Sequence, residues 1–419
     1  MLRQMGLLGW VIVTTVTTVD AADWPLFRGP DRDGQTRDAA VPLEWGKERN
    51  VRWKAKLPVG GNSSPIVVGE KVFVTCAQDR RGTRRSLYCF DRADGKPLWV
   101  KTVTWERADP THETNPYCAA TPASDGRRVI VSHGVAGLYC YDLGGNELWH
   151  ADLGPTRHIW GYASSPVLHG DRVFLNCGAG ARSFVVALDK QSGKVLWRTD
   201  EPGGKDDGGP NWVGSWSTGL VTEVEGREQL LVFQAGRVNA YDSATGQVLW
   251  SHGGAGDLAY TDVVVGEVAG VGKVGLALAG YGGAAVGFRL GGSGDTSATH
   301  RLWRSTAKPP QRIGTGVLVG KHLFVANEPG LECIDATTGK QLWSHRVPGQ
   351  NFWAPLVATT DRIYATSQQG NTYVFAPDPT GWRPIATNSL GERTNAAPAP
   401  SGEQMFVRTW EHLYCIENQ

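Results

Sequence analysis

The sequence carries almost no net charge: 42 lysines and arginines stand against 41 aspartates and glutamates. No global field therefore recruits nucleic acid or an anionic membrane, and neither is expected as a partner. Beyond the first 21 residues no apolar run reaches the ~20 residues of a membrane-spanning helix. Histidines at H-x-x-H or H-E-x-x-H spacing are missing, as is the alternating acidic loop of a calcium hand, so no metal site is expected. Asp257 with Asp262 is the weak exception that such a loop would have strengthened. The seven cysteines include no adjacent pair and no C-x-x-C-H motif, and their odd number leaves at least one thiol without an intramolecular partner.

What the chain has in quantity is glycine and tryptophan, 54 and 17 in 419 residues. They are periodic. "CIDATTGKQLW" (Cys333 to Trp343) repeats "CFDRADGKPLW" (Cys89 to Trp99), "ALDKQSGKVLW" (Ala187 to Trp197) and "AYDSATGQVLW" (Ala240 to Trp250), with "CYDLGGNELW" (Cys140 to Trp149) one residue shorter. A Gly-containing turn between apolar, aromatic-ended runs reads as a β-hairpin. Trp53, Trp99, Trp149, Trp197, Trp250, Trp303 and Trp343 recur at steps of 46, 50, 48, 53, 53 and 40, and Trp382 adds a weaker step of 39. That period suits a four-stranded propeller blade. "NSSPIVVGEKVFVTC" (Asn62 to Cys76) and its copies at Tyr162 to Cys177 and Ile313 to Asn327 supply the first two strands of a blade.

Seven units end in tryptophan, and the tail from Asn395 supplies three strands more. "NVRWKAKL" (Asn50 to Leu57) has the missing outer strand, so the spacing predicts an all-β, eight-bladed propeller closed by its own N-terminus, with no open sheet edge. Each closing Trp covers its blade and leans on the next, burying roughly 150–250 Å². The Asp eight residues earlier accepts backbone N–H groups at the turn. Cys89, Cys140, Cys333 and Cys415 take the slot of Ala187 and Ala240 and read as small buried fillers. Pairing of Cys76 with Cys89 on consecutive strands stays open.

Residues 1–21 read as an export signal: Arg3, an apolar stretch from Leu7, then "VDA" before Ala22, with no cysteine near the cut to carry a lipid. The expected product is periplasmic or secreted, and monomeric, with an extension at 22–49 and the propeller at 50–419.

The repeat A-x-D-x-x-T/S-G-x-x-x-W, once per blade, resembles that of the pyrroloquinoline quinone (PQQ)-type propellers. These include quinoprotein alcohol dehydrogenases and BamB, the propeller lipoprotein of the outer-membrane β-barrel assembly machine. The resemblance runs from about residue 50 to 419 and is poor near Phe288 to Trp303; "DWPLFRGPDRDGQT" (Asp23 to Thr36) is similar to the opening of exported bacterial proteins of this class. The enzyme branch implies PQQ, Ca²⁺ held by a Glu/Asn/Asp set, an Asp base and a disulfide of adjacent cysteines. No motif carries those catalytic residues onto this chain. The scaffold branch implies partner binding, though its lipid-anchor cysteine is missing here.

Propeller geometry brings the links that precede each inner strand together on one face beside the channel. Those links offer His112, Glu113, His158, Trp160, Tyr162, Trp212, Trp216, Asp257, Tyr260, Arg312, Trp353 and Arg393. Aromatics for stacking beside charges of both signs suit sugars or an extended peptide; the plainer reading makes them channel plugs. "QDRRGTRR" (Gln78 to Arg85) reads as a solvated loop on the same face or a dock for an anion, and the acidic link at 200–210 as a mobile loop or, alternatively, a lid over the channel. The expected function is non-catalytic binding of a protein or polysaccharide partner without a cofactor. The alternatives are a PQQ-dependent dehydrogenase with Ca²⁺ and a carbohydrate-binding or carbohydrate-cleaving propeller.

Overall fold

The computed structural model describes residues 23–37, 40–107, 109–203, 213–306 and 311–418. The expected leader, Trp212 and most of the acidic link fall outside them. The described residues form eight antiparallel four-stranded blades. The first runs outward through Ile66–Val68, Lys71–Ala77, Arg84–Asp91 and Pro97–Thr104. The last pairs Ala399–Ser401, Gln404–Arg408 and His412–Glu417 with Val51–Lys56, so the N-terminal strand closes the ring.

One packing rule repeats around this ring. In seven blades the closing Trp stands opposite a small residue on the third strand: Cys89 with Trp99, Cys140 with Trp149, Ala187 with Trp197, Ala240 with Trp250, Gly287 with Trp303, Cys333 with Trp343, Cys415 with Trp53. A larger neighbour would fill the space the indole needs. The indole then reaches the next blade: Nε1 of Trp53, Trp99, Trp149, Trp197, Trp303 and Trp343 donates to a backbone carbonyl of that blade's outer turn at 2.7–3.2 Å. In five of these turns the glycine lies against the incoming ring, with no room for a Cβ. The hydrophobic core accordingly divides into eight clusters, each drawn chiefly from two successive blades.

Two blades depart from the rule. After Arg289 the fifth blade inserts a loop whose Gly294–Asp295 adds a parallel strand to the fourth blade at Trp250 and Ser251. Trp250 therefore turns inward to Gln229 Oε1 at 2.8 Å. In the seventh blade the equivalent pair is Val374 with Ala386. Trp382 precedes that strand and stacks on His345 (4.6 Å) while packing tilted against Phe375 (4.8 Å) instead, so it is a neighbour of the latch of Trp343 and not a latch itself.

The turn aspartates act as expected: Asp335 Oδ1 accepts the N–H groups of Thr337 and Thr338 at 2.9 and 3.0 Å, and Asp242 those of Ala244 and Thr245. All seven cysteines are buried and free. Cys76 faces Ser86, and Cys89 faces Phe73, three residues away in register, so the possible bridge is not made.

The segment Asp23 to Thr36 does something that the repeat does not announce. Trp24 exchanges both backbone bonds with Val67 of the first blade, and the Ser124 N–H of the second donates to Pro25 C=O. Gly34 and Thr36 bond to Ala358 of the seventh. The segment thus crosses the ring at the far ends of the inner strands and covers edges that would otherwise face an open channel. Arg28, buried, donates to the carbonyls of Thr315 and Gly316 at 3.1 and 2.8 Å.

Candidate binding site

Two residues before each inner strand stand Ser64, Thr121, Ser165, Thr218, Asp262, Thr315, Pro355 and Ala397, one per blade. From Ser64 to Asp262, each backbone N–H donates to the side-chain oxygen of the next position at 2.7–3.1 Å. The Ala397 N–H closes onto Ser64 Oγ at 3.0 Å. Pro355, which has neither N–H nor hydroxyl, interrupts the ring.

Two residues earlier again come Asn62, Ala119, Ala163, Trp216, Tyr260, Ile313, Trp353 and Asn395, and all eight line one cavity of about 210 Å³ at the channel mouth. Phe27, next to the buried Arg28, belongs to the same lining, so the N-terminal segment supplies its floor. Convergence of the links, expected from blade geometry, is therefore complete, but the lining is sorted into two arcs.

One arc is aromatic. Trp160, Trp216, Tyr260 and Tyr281 touch edge to face, tilted or stacked, with centroids 5.1–6.3 Å apart. Tyr281 is 54% exposed, stacks on Trp160 and sits at φ +43°, a left-handed conformation that costs a side chain free energy. The other arc is amide. Asn62 Nδ2 donates to Thr114 C=O and Asn115 Oδ1, Asn395 Nδ2 to Asn62 Oδ1 and Thr114 C=O, and Asn115 Nδ2 to the carbonyls of Trp160 and Tyr162. These bonds use all six amide N–H groups of the three asparagines.

Among the described residues no lysine or arginine lines the cavity, and Asp262 is the one carboxylate of the lining. Oδ1 of Asp262 accepts the Thr218 N–H at 2.7 Å. Burial raises its affinity for a proton, and the charges of Arg28 and Arg32 beneath it oppose that rise. The same burial lowers Arg32 to about 10. Tyr260 Oη and Trp353 Nε1 are covered within the wall and have no hydrogen-bond partner among the described residues.

The candidate residues divide accordingly. His112, Trp160, Trp216, Tyr260 and Trp353 line the cavity. His158 lies behind the wall, its ring 4.8 Å from Trp216 and its Nδ1 accepting the Trp160 N–H, so it positions both indoles. Tyr162 packs over Gly134 and donates to Ser132 C=O at 3.4 Å, away from the lining. Arg312, one residue from the lining Gln311, is buried in an ion pair with Glu332 at 3.2 Å. Arg393 is exposed and stacks on Trp410, whose Nε1 donates to Asn62. Glu113 and Asp257 are exposed and outside the lining.

The arginine loop is not uniformly solvated. Arg80, Arg81 and Arg84 are exposed, whereas Arg85 is fully buried, pairs with Asp109 at 2.5 Å and donates to His133 C=O. Burial and the neighbouring Arg85 push the His133 imidazole down to about 3, so it is neutral. This cluster ties the loop to the link ahead of the second blade.

The donor set that the quinoprotein branch requires does not fit this cavity. Among the described residues its lining holds a single carboxylate and no cysteine. The group of three ligand-type side chains that does gather, Glu392, Glu411 and His412, lies outside the lining in and before the eighth blade. There Glu392 already accepts from Tyr414 at 2.6 Å and lies 2.9 Å from His412 Nδ1.

A family model described as outer membrane protein assembly factor BamB matches residues 83–286 and 295–409, its gap overlapping the start of the inserted loop of the fifth blade. The tetrathionate hydrolase of Acidithiobacillus ferrooxidans is 21% identical over 240 residues, 51% of this chain. The match spans 44% of that relative, under half its length. Among solved structures, a europium-containing methanol dehydrogenase superposes with a TM-score of 0.68 at 10% identity, covering 95% of this chain and 98% of that one. BamB from Moraxella catarrhalis gives 0.60 at 14% identity, covering 87% and 98%. At these identities the likeness to both structures is one of fold. No helix among the described residues is long and apolar enough to cross a membrane.

Proposed function

Because the chain belongs to the family of the outer membrane protein assembly factor BamB, we propose that it is a non-catalytic, exported propeller that recognises a partner chain, protein or polysaccharide, at the mouth of its channel. The observation that carries this reading is the composition of the cavity. A wall of touching aromatics faces a net of neutral amides, and the one carboxylate lies over two arginines. Such a surface stacks and orients a ligand; a general base aligned on a nucleophile, or a cation clamp for an anion, is not part of it. The apolar stretch within residues 1–21 supports export.

The test is site-specific photo-crosslinking. A benzoylphenylalanine at Tyr281, on the mouth, should yield a discrete adduct in cells. The same probe at Leu148, an exposed outer-strand position, should not. Adducts from Leu148 alone, or from neither position, would count against the mouth as the contact surface.

A further inference from the structure

We propose, resting on the mouth of the channel being a binding surface, that its ligand is a neutral glycan, one pyranose ring of which stacks on the Trp160–Tyr281 platform while its hydroxyls donate to the amide arc. Three observations lead to this chemistry.

The first is charge. Among the described residues no lysine or arginine lines the cavity, and Asp262 is already opposed by Arg28 and Arg32 from below. A carboxylated or phosphorylated ligand would lose its hydration and meet no compensating cation, which is costly. The second is the direction of the hydrogen bonds still open. The six N–H groups of Asn62, Asn115 and Asn395 are spent within the protein. Asn115 Oδ1 and Asn395 Oδ1 each accept one bond, from Asn62 and Gln368, and keep a lone pair. This arc therefore suits a ligand that presents donors. Sugar hydroxyls can turn to donate, whereas the carbonyls of a peptide backbone would need N–H groups that the arc has no more of.

The third is the platform. Tyr281 is held out at the mouth, more than half exposed, in a left-handed conformation within Gly280-Tyr281-Gly282-Gly283, and it stacks on Trp160 with the ring planes 29° apart. A glycine would adopt that backbone with less strain. A flat, partly exposed aromatic pair matches the apolar C–H face of a pyranose. The inner strands of the first and seventh blades already pair with the floor segment, which leaves a peptide fewer strand edges here to extend.

Calorimetric titration of the full chain decides the matter, with cellohexaose, maltohexaose and N-acetylchitohexaose as neutral probes. Oligogalacturonate is the anionic control, and a series of unstructured neutral decapeptides is the peptide arm. At least one neutral hexasaccharide should bind, with oligogalacturonate about tenfold weaker or worse. Tyr281→Ala should weaken binding about three- to tenfold, as expected for one lost stacking contact, whereas Tyr281→Phe should stay within about twofold. Unchanged melting temperatures of both variants would separate lost binding from lost folding. If none of the neutral hexasaccharides binds, or oligogalacturonate or a decapeptide binds more tightly in a Tyr281-dependent way, the glycan assignment fails while the mouth remains the site. Should no probe show any dependence on Tyr281, and crosslinking at that position also be silent, the mouth fails as a binding surface too.

Discussion

The Cα of Gly193, in the outer turn of the third blade, lies against the indole of Trp149 from the second: a Cβ built there would stand 2.5 Å from the ring. The same indole donates to Lys190 C=O at 3.0 Å, so one turn receives both the face and the N–H of its neighbour's tryptophan. Gly193 is at φ +70°, which a larger residue adopts at a cost. Trp149→Ala should cost about 3–5 kcal/mol, and Gly193→Ala about 1–3 kcal/mol. Because the two share one contact, Gly193→Ala should cost less in the Trp149→Ala background, with a coupling near 1 kcal/mol or more. Urea denaturation of the four proteins measures this; additive costs would mean the contact is not the latch.

Acid should loosen the turns in a defined window. Burial alone would raise the Asp335 carboxyl, but the hydroxyls and N–H groups of Thr337 and Thr338 outweigh it and bring it from 3.8 to about 2. A folded pKa below the unfolded one gives stability that is present above the unfolded value and is lost as pH falls through the folded one. The melting temperature should therefore drop between pH 3.8 and about 2, and Asp335→Asn should flatten part of that drop. An identical profile in the variant would remove Asp335 from the account.

The floor segment should be a structural member of the propeller. Arg28→Ala deprives the carbonyls of Thr315 and Gly316 of their donor and Asp262 of an opposing charge in a buried site. A loss of about 2–4 kcal/mol is expected. Adding Asp262→Asn should recover part of it, since the remaining charge is what is costly. Calorimetric unfolding that is indifferent to Arg28→Ala would show that the segment merely rests on the ring.

Tyr260 offers a prediction of opposite sign. Its hydroxyl is covered and unpartnered within the aromatic wall, so Tyr260→Phe keeps the packing and deletes a polar group that is costly to leave unpaired. Stability should hold or rise by up to about 1 kcal/mol. A clear loss in the denaturation midpoint would reveal a partner for that hydroxyl.

The blades were legible because their grammar is local: an aspartate, a turn glycine and a tryptophan within a dozen residues fix each outer hairpin, and the small residue opposite each Trp is read in the same copy. Trp382 misled because spacing alone cannot tell a closing strand residue from one just ahead of its strand. The floor was not legible, since Arg28 finds its partners 287 and 288 residues away, and no period announces such a contact. The aromatic candidates Trp160, Trp216, Tyr260 and Trp353 were visible by type. Asn62, Asn115 and Asn395 carry no motif that singles them out. For Asn62 and Asn395 the available signal was position, four residues before an inner strand, which Trp216, Tyr260 and Trp353 share.

The central claim is that the channel mouth recognises a ligand and does no redox chemistry. Its most direct test is calorimetric titration of the full chain with PQQ and Ca²⁺, run beside a dye-linked alcohol oxidation assay. No Ca²⁺-dependent saturable PQQ binding and no turnover are expected; binding accompanied by dye reduction would overturn this reading and make the cavity the active site of an enzyme.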